Sequence, residues 1–200
     1  MELEQALSRI AAHRTDEVVV TTMTANLIWP AHSKSEADLI FTGPMGAVPG
    51  VALGIAIARP DVPVWAINGD GSALMYLSYL VDIAEAMPPN LVYFLMNNRE
   101  WGLIGHLDLP ASGKVDFVGL AKCSGWDRAL SVQSVEALDA AMPAIKSGTG
   151  PLLVDLRVRP AAELRAGTAA YAERMKLPKA RQSYGKSGIA NVQAHLAAKR

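Results

Sequence analysis

The chain has 200 residues, 50% of them hydrophobic, enough to bury a sizeable core, and reads most simply as one domain with something appended. Its 19 Lys and Arg balance 19 Asp and Glu, and no dense basic block precedes the scattered cations of the tail, which argues against a nucleic-acid partner. A single cysteine, Cys123, excludes an intrachain disulfide or a four-cysteine metal site from this chain, and no apolar run reaches the roughly 20 residues that span a bilayer.

Residues 1 to 13 mix charge with Leu3, Leu7 and Ile10 at helical spacing, unlike the apolar centre of a signal peptide, so the expected location is the cytoplasm. Glu17 to Thr22 reads as a strand, because the continuous Val18-Val19-Val20 run marks a strand buried on both faces. Met23 to Ser35 reads as a loop. Thr24 within it lies just past a strand end, where open α/β sheets place ligands, and is a candidate contact. Leu39 to Thr42 leads into Gly43-Pro44-Met45-Gly46, after which a helix runs to about Ala58 and stops at Arg59-Pro60. Gly46, Gly50 and Gly54 recur every four residues, so they share a face on which another backbone can come close.

Val62 to Asn68 is the next strand, followed by Gly69-Asp70-Gly71-Ser72 and a helix from about Ala73 to Ala86. Ser72 suits its N-cap, and Leu74, Leu77, Val81 and Ala84 are expected to line one side. Pro88-Pro89-Asn90 makes a turn into the apolar strand Leu91 to Met96, which delivers Asn97-Asn98 to its C-terminal end. In a right-handed parallel βαβ unit, Asp70 and Asn98 then meet on one edge of the sheet. Beyond a loop from Arg99 to Val115, the pattern gives a helix over 116–124 carrying Cys123 as a small buried apolar residue, a strand over 127–132, a helix over 134–147 and a strand over 151–158. The alternation predicts an α/β three-layer sandwich with a mostly parallel central sheet over residues 1–160. From Pro160 onward alanine, lysine and arginine dominate, so 161–200 reads as a helical extension, partly exposed or wrapped on a neighbour.

The paired motifs carry chemistry. A glycine turn lets backbone approach phosphate, a following helix offers free N–H groups, and a carboxylate with an amide oxygen and a nearby carbonyl suits a hard cation. Magnesium favours near-octahedral oxygen ligands and completes them with ligand phosphate oxygens and water, so the expected ligand is a diphosphate.

Gly69-Asp70-Gly71-Ser72, answered after one crossover by Asn97-Asn98, resembles the thiamine-diphosphate motif of the 2-oxo acid decarboxylases and acetolactate-synthase-like enzymes. The resemblance extends from about Val18 to Pro160 and includes Gly43-Pro44-Met45-Gly46. It implies the diphosphate-binding (PP) module of that fold. Asp70 and Asn98 would ligate magnesium by side chain and Glu100 by its backbone carbonyl, while Gly69, Gly71 and Ser72 would cradle the diphosphate. Met45 would be the apolar wedge that bends the cofactor, and Gly43 would accept a hydrogen bond from its pyrimidine amino group.

The family also needs a glutamate that activates the aminopyrimidine, and it belongs to a separate pyrimidine-binding domain. Glu17, Glu36 and Glu85 sit in no matching context, and the chain is too short for both domains, so an α-type pyrimidine-binding subunit is the expected partner in a hetero-oligomer. Among split enzymes the sequence is similar to the β subunit of sulfopyruvate decarboxylase and the matching half of phosphonopyruvate decarboxylase. Those carry a Ser-Thr-Gly segment followed by Gln after the asparagines, where this chain has Leu103-Ile104-Gly105-His106-Leu107. The departure puts an anionic substrate head in doubt and suits a less polar 2-oxo acid. Trp101-Gly102 followed by Leu103 is also similar to decarboxylases of aromatic 2-oxo acids. His106 is a candidate acid or base, since imidazole titrates near neutrality. Alternative readings are a non-catalytic cofactor-binding subunit and the β subunit of a 2-oxo acid oxidoreductase, whose electron transfer leans on iron–sulfur cysteines.

Overall fold

The apolar runs pair side by side in the computed structural model, which describes residues 1–164, 167–176 and 186–199. The main sheet holds β1 (Val18–Thr21), β2 (Asp38–Ile40), β3 (Val64–Gly69), β4 (Leu91–Asn97), β7 (Arg128–Val132) and β8 (Leu152–Arg157). Their order is β2-β1-β3-β4-β8-β7, and every pairing in it is parallel. A short antiparallel pair, β5 (Glu100–Trp101) with β6 (Leu107–Asp108), stands in the loop after β4.

Period-two alternation sends each strand's side chains to two different cores. In β4, Val92, Phe94 and Met96 join a core built with α1 (Leu3–His13), α2 (Thr24–His32) and α7 (Val135–Ser147). Leu91, Tyr93 and Leu95 join a second core with α3 (Val48–Ala58), α5 (Ser78–Ala86) and α6 (Phe117–Cys123). Helices therefore cover both faces, which is the expected three-layer α/β sandwich, and its central sheet is parallel throughout. Side chains cap two helices: the Asp116 side chain accepts from Gly119 N–H at 2.9 Å, and Ser134 Oγ accepts from Ala137 N–H at 3.2 Å.

Several local expectations are corrected. The segment read as a loop after β1 is α2, because Ala25, Leu27, Ile28 and Trp29 bury one side of it, and this burial outweighs the helix-breaking Pro30. The helix expected over 73–86 is two. The first, α4 (Asp70–Met75), starts earlier, with Gly69 as its N-cap, so Ser72 lies inside the helix. Tyr76 leaves helical geometry (φ −139°, ψ 54°), its ring stacks on Tyr79 at 5.8 Å, and α5 then buries Leu80 and Ile83 while Leu77 and Val81 face solvent. Cys123 is on a helix as expected, but exposed.

The glycine face of α3 is also different in kind. A Cβ on Gly50 would lie 2.5 Å from the Tyr79 ring, so a side chain, not a backbone, makes the close approach there, and Gly54 meets open space. Gly46 is the position where backbone does come close: a Cβ there would lie 2.6 Å from the Ser72 carbonyl oxygen.

Past residue 160, α8 (Ala169–Arg174) places Tyr171 on the first core, and Arg174 pairs with Glu4 at 2.8 Å. The last helix, α9 (Lys186–Ala198), packs Val192 and Leu196 on the second core, and Lys199 pairs with Asp16 at 2.8 Å. Among the described residues no helix is long and apolar enough to cross a membrane.

Candidate functional site

The sheet order reverses at β1. The chain leaves β1 for β2 on one side, then returns to lay β3 and β4 on the other. Beyond the carboxyl ends of β1 and β3 the flanking connections diverge and open a crevice, the position where such sheets bind ligands. Thr22 to Ala25 enter it after β1, Gly69 to Ser72 after β3, and Met96, Asn98 and Glu100 at and beyond the end of β4. The register that pairs Gly69 with Met96 brings the two motifs side by side, as the βαβ spacing requires.

Asp70 sits at the floor, 2% exposed. Its Oδ1 accepts from Gly71 N–H at 2.8 Å and its Oδ2 from Arg99 N–H at 2.5 Å. Arg99 adopts a left-handed backbone (φ 67°), a conformation uncommon for a side-chain-bearing residue, in the turn that supplies this N–H. Burial pushes the Asp70 carboxyl up to about 6, although both N–H groups pull it down. A buried carboxylate held this way is an unneutralised charge that a cation would relieve.

Asn98 is half-buried, and its Oδ1 accepts from Glu100 N–H at 3.3 Å. Its neighbour Asn97 turns the other way: its Nδ2 donates to Asp155 Oδ1 at 2.8 Å, and Asp155 also faces Ser131 and Arg157. Asn97 thus anchors the strand end from behind, while Asn98 faces the crevice. Among the described residues no three His, Cys, Asp or Glu side chains gather into a metal cluster. A cation here would rest on one carboxylate, one amide oxygen and backbone, with water and ligand oxygens completing the shell, which is the coordination habit of magnesium.

Three buried polar atoms in this crevice have no hydrogen-bond partner among the described residues: Thr22 Oγ1, Ser72 Oγ and Trp101 Nε1. Thr22 and Ser72 are each 1% exposed, and leaving such groups unmet costs about 1–3 kcal/mol apiece. The indole nitrogen lies against Gly71, where a Cβ would approach it to 2.3 Å. Two hydroxyls and an indole N–H beside a helix start are the donor set a phosphate group satisfies, so the residues present fit a magnesium diphosphate.

Thr24, Met45, Gly69, Asp70, Gly71, Ser72, Asn98 and Glu100 all line the same crevice. Gly43 does not: it lies two residues before Met45 on the same loop, against the Phe41 ring. His106 also stands outside the lining. Its Nδ1 is hydrogen-bonded to Glu100 Oε1 and its Nε2 lies 3.2 Å from the Ala162 carbonyl oxygen, so the ring ties the β5–β6 hairpin to the segment after β8. Sequence reasoning missed Thr22 and Trp101. Thr22 offered a positional signal, one residue past β1; Trp101 offered none, because its contact with Gly71 depends on how the hairpin folds back.

Residues 18–156 match the family described as thiamine pyrophosphate enzyme, C-terminal TPP binding domain. Phosphonopyruvate decarboxylase of Streptomyces hygroscopicus is 31% identical over 157 residues, which cover 78% of this chain and 39% of that protein. Sulfopyruvate decarboxylase subunit beta of Methanothermobacter thermautotrophicus is 32% identical over 132 residues, covering 64% of this chain and 68% of the subunit. The crystal structure of benzoylformate decarboxylase from Polynucleobacter necessarius superposes with a TM-score of 0.66 at 19% identity, covering 80% of this chain and 33% of that one. The chain spans about two-fifths of the length of the phosphonopyruvate decarboxylases it matches. With the crevice, its carboxylate and its unmet donors in the matched region, the chain belongs to the thiamine pyrophosphate enzyme family and carries its C-terminal cofactor-binding domain.

Proposed function

We propose that this chain is the diphosphate- and magnesium-binding subunit of a two-subunit, thiamine-diphosphate-dependent 2-oxo acid decarboxylase, a lyase that works in the cytoplasm. The observation that carries this reading is the meeting, in one crevice, of a buried carboxylate with three unpartnered polar atoms. Asp70 and Asn98 would hold the cation by side chain and Glu100 by its carbonyl; Gly69, Gly71, Ser72 and Thr24 would hold the diphosphate, joined by Thr22 and Trp101. Met45 lines the crevice where it can set the bend of the cofactor, and Gly43 is assigned the pyrimidine amino group.

When bound, thiamine diphosphate supplies a carbon nucleophile and an electron sink for the loss of carbon dioxide. This chain's residues bind and orient it and exclude water with the apolar wall of Leu3, Met45, Leu103 and Ile104. His106 is best placed to position Glu100, whose side chain it holds. Proton transfer at the pyrimidine is assigned to a glutamate of a separate pyrimidine-binding subunit. Support for a partner comes from the relatives, since one is a named β subunit and the others are more than twice the length of the match. The module is assigned to residues 1–160 and the helical extension to 161–200, of which 165–166, 177–185 and 200 lie outside the described residues.

Calorimetric titration of the chain with thiamine diphosphate, with and without magnesium, tests the core of this reading. Magnesium-dependent binding is expected in the wild type, and Asp70→Ala is expected to abolish it while circular dichroism stays unchanged. Equal binding by both proteins would overturn the metal assignment.

A further inference from the structure

Resting on the decarboxylase reading above, we propose that the substrate is a 2-oxo acid with an apolar tail, aliphatic or aryl, and not one ending in a phosphonate or sulfonate. Besides its polar residues, the crevice is walled by apolar side chains that include Met45, Leu103, Ile104 and Leu3. Leu103 is braced against the first core, whereas Ile104 is 68% exposed, an apolar side chain that none of the described residues covers. An apolar tail lying on Met45, Leu103 and Ile104 removes that surface from water, which is favourable in proportion to the area covered.

An anionic head would meet the opposite. Among the described residues the lining offers no cationic side chain: of its two carboxylates, Asp70 is assigned to the cation and Glu100 repels an anion, and desolvating the head on an apolar wall needs charge-assisted donors in return. Neither basic side chain of the segment, Arg99 or His106, is part of this wall. Arg99 turns its backbone N–H toward Asp70 and lays its side chain by Gly113, in a small cavity on the other side of Asp70. His106 is held between Glu100 and the Ala162 carbonyl oxygen. On this inference the substrate differs from the phosphonopyruvate and sulfopyruvate in the names of relatives about 30% identical.

The test uses the chain isolated with its native partner and loaded with thiamine diphosphate and magnesium. Carbon dioxide release is followed with 4-methyl-2-oxopentanoate, phenylpyruvate, phosphonopyruvate and sulfopyruvate. The first two are expected to exceed the last two in kcat/KM by roughly tenfold or more, the discrimination an apolar pocket gives. Ile104→Arg, at an exposed position, is expected to narrow or reverse that ratio. Preference for the phosphonate or sulfonate acid would overturn the substrate inference and leave the decarboxylase reading standing. Cofactor binding without turnover of any of the four acids would instead overturn the decarboxylase reading, and the inference with it.

Discussion

On the magnesium reading, Asp70 would couple stability, metal binding and pH. Its carboxyl titrates near 6 in the folded chain against 3.8 unfolded, so the folded state holds the proton more tightly. The cofactor-free chain therefore loses stability as pH rises from about 4 through 6, by an amount on the order of 3 kcal/mol. A magnesium ion beside the carboxylate removes that cost, so the rise in Tm on adding magnesium and thiamine diphosphate is expected to be larger at pH 7 than at pH 5, as differential scanning fluorimetry can measure. Trp101 makes a second case at this scale. Trp101→Phe keeps an aromatic ring against Gly71 but removes the unmet N–H, so it is expected to weaken pyrophosphate binding by roughly tenfold, the value of a hydrogen bond to a charged group, with little change in Tm. Unaltered pyrophosphate affinity by calorimetry would show that the indole is packing alone.

Elements were legible where their pattern was complete. The strands β1, β3, β4, β7 and β8 fall within two residues of their expected bounds, since continuous apolar runs between turn residues leave few alternatives. The crevice end of the helical layer was not. The polar residues and proline of 23–35 imitate a loop, and the break at Tyr76 follows from a stacking partner, Tyr79, that local propensity does not see. Gly46 joins these pieces: with φ at 91° it needs no side chain, and it lies against the Ser72 carbonyl and the Tyr76 ring. Gly46→Ala is expected to cost about 1–3 kcal/mol, lowering Tm by several degrees, and to weaken cofactor binding by displacing Ser72. Guanidinium titration alongside calorimetry would separate the two effects.

At the scale of the whole molecule, the reversal of strand order at β1 makes the crevice, and a packed core lies on each face of the sheet behind it. Beside it, Met75 and Leu77 with Val81 on α5 form an exposed apolar band. Bands of this kind mark protein contact surfaces, and this one adjoins α4, whose first turn lines the crevice. On the two-subunit reading it faces the partner, so Val81→Glu is expected to leave cofactor binding intact while lowering the yield of complex in size-exclusion chromatography.

The sequence by itself determined the α/β alternation, the family, and the two motifs of the crevice, because strand period, glycine turns and the Asp70 to Asn98 spacing are local properties that one crossover converts into proximity. Only the tertiary structure decided that Asn97 turns back to Asp155, that His106 stands outside the crevice on the side chain of Glu100, and that Thr22 and Trp101 are left with unmet polar atoms inside it. These outcomes depend on how residues distant in the chain are brought into contact, and no local periodicity encodes the direction in which a polar side chain at a strand end will find its partner.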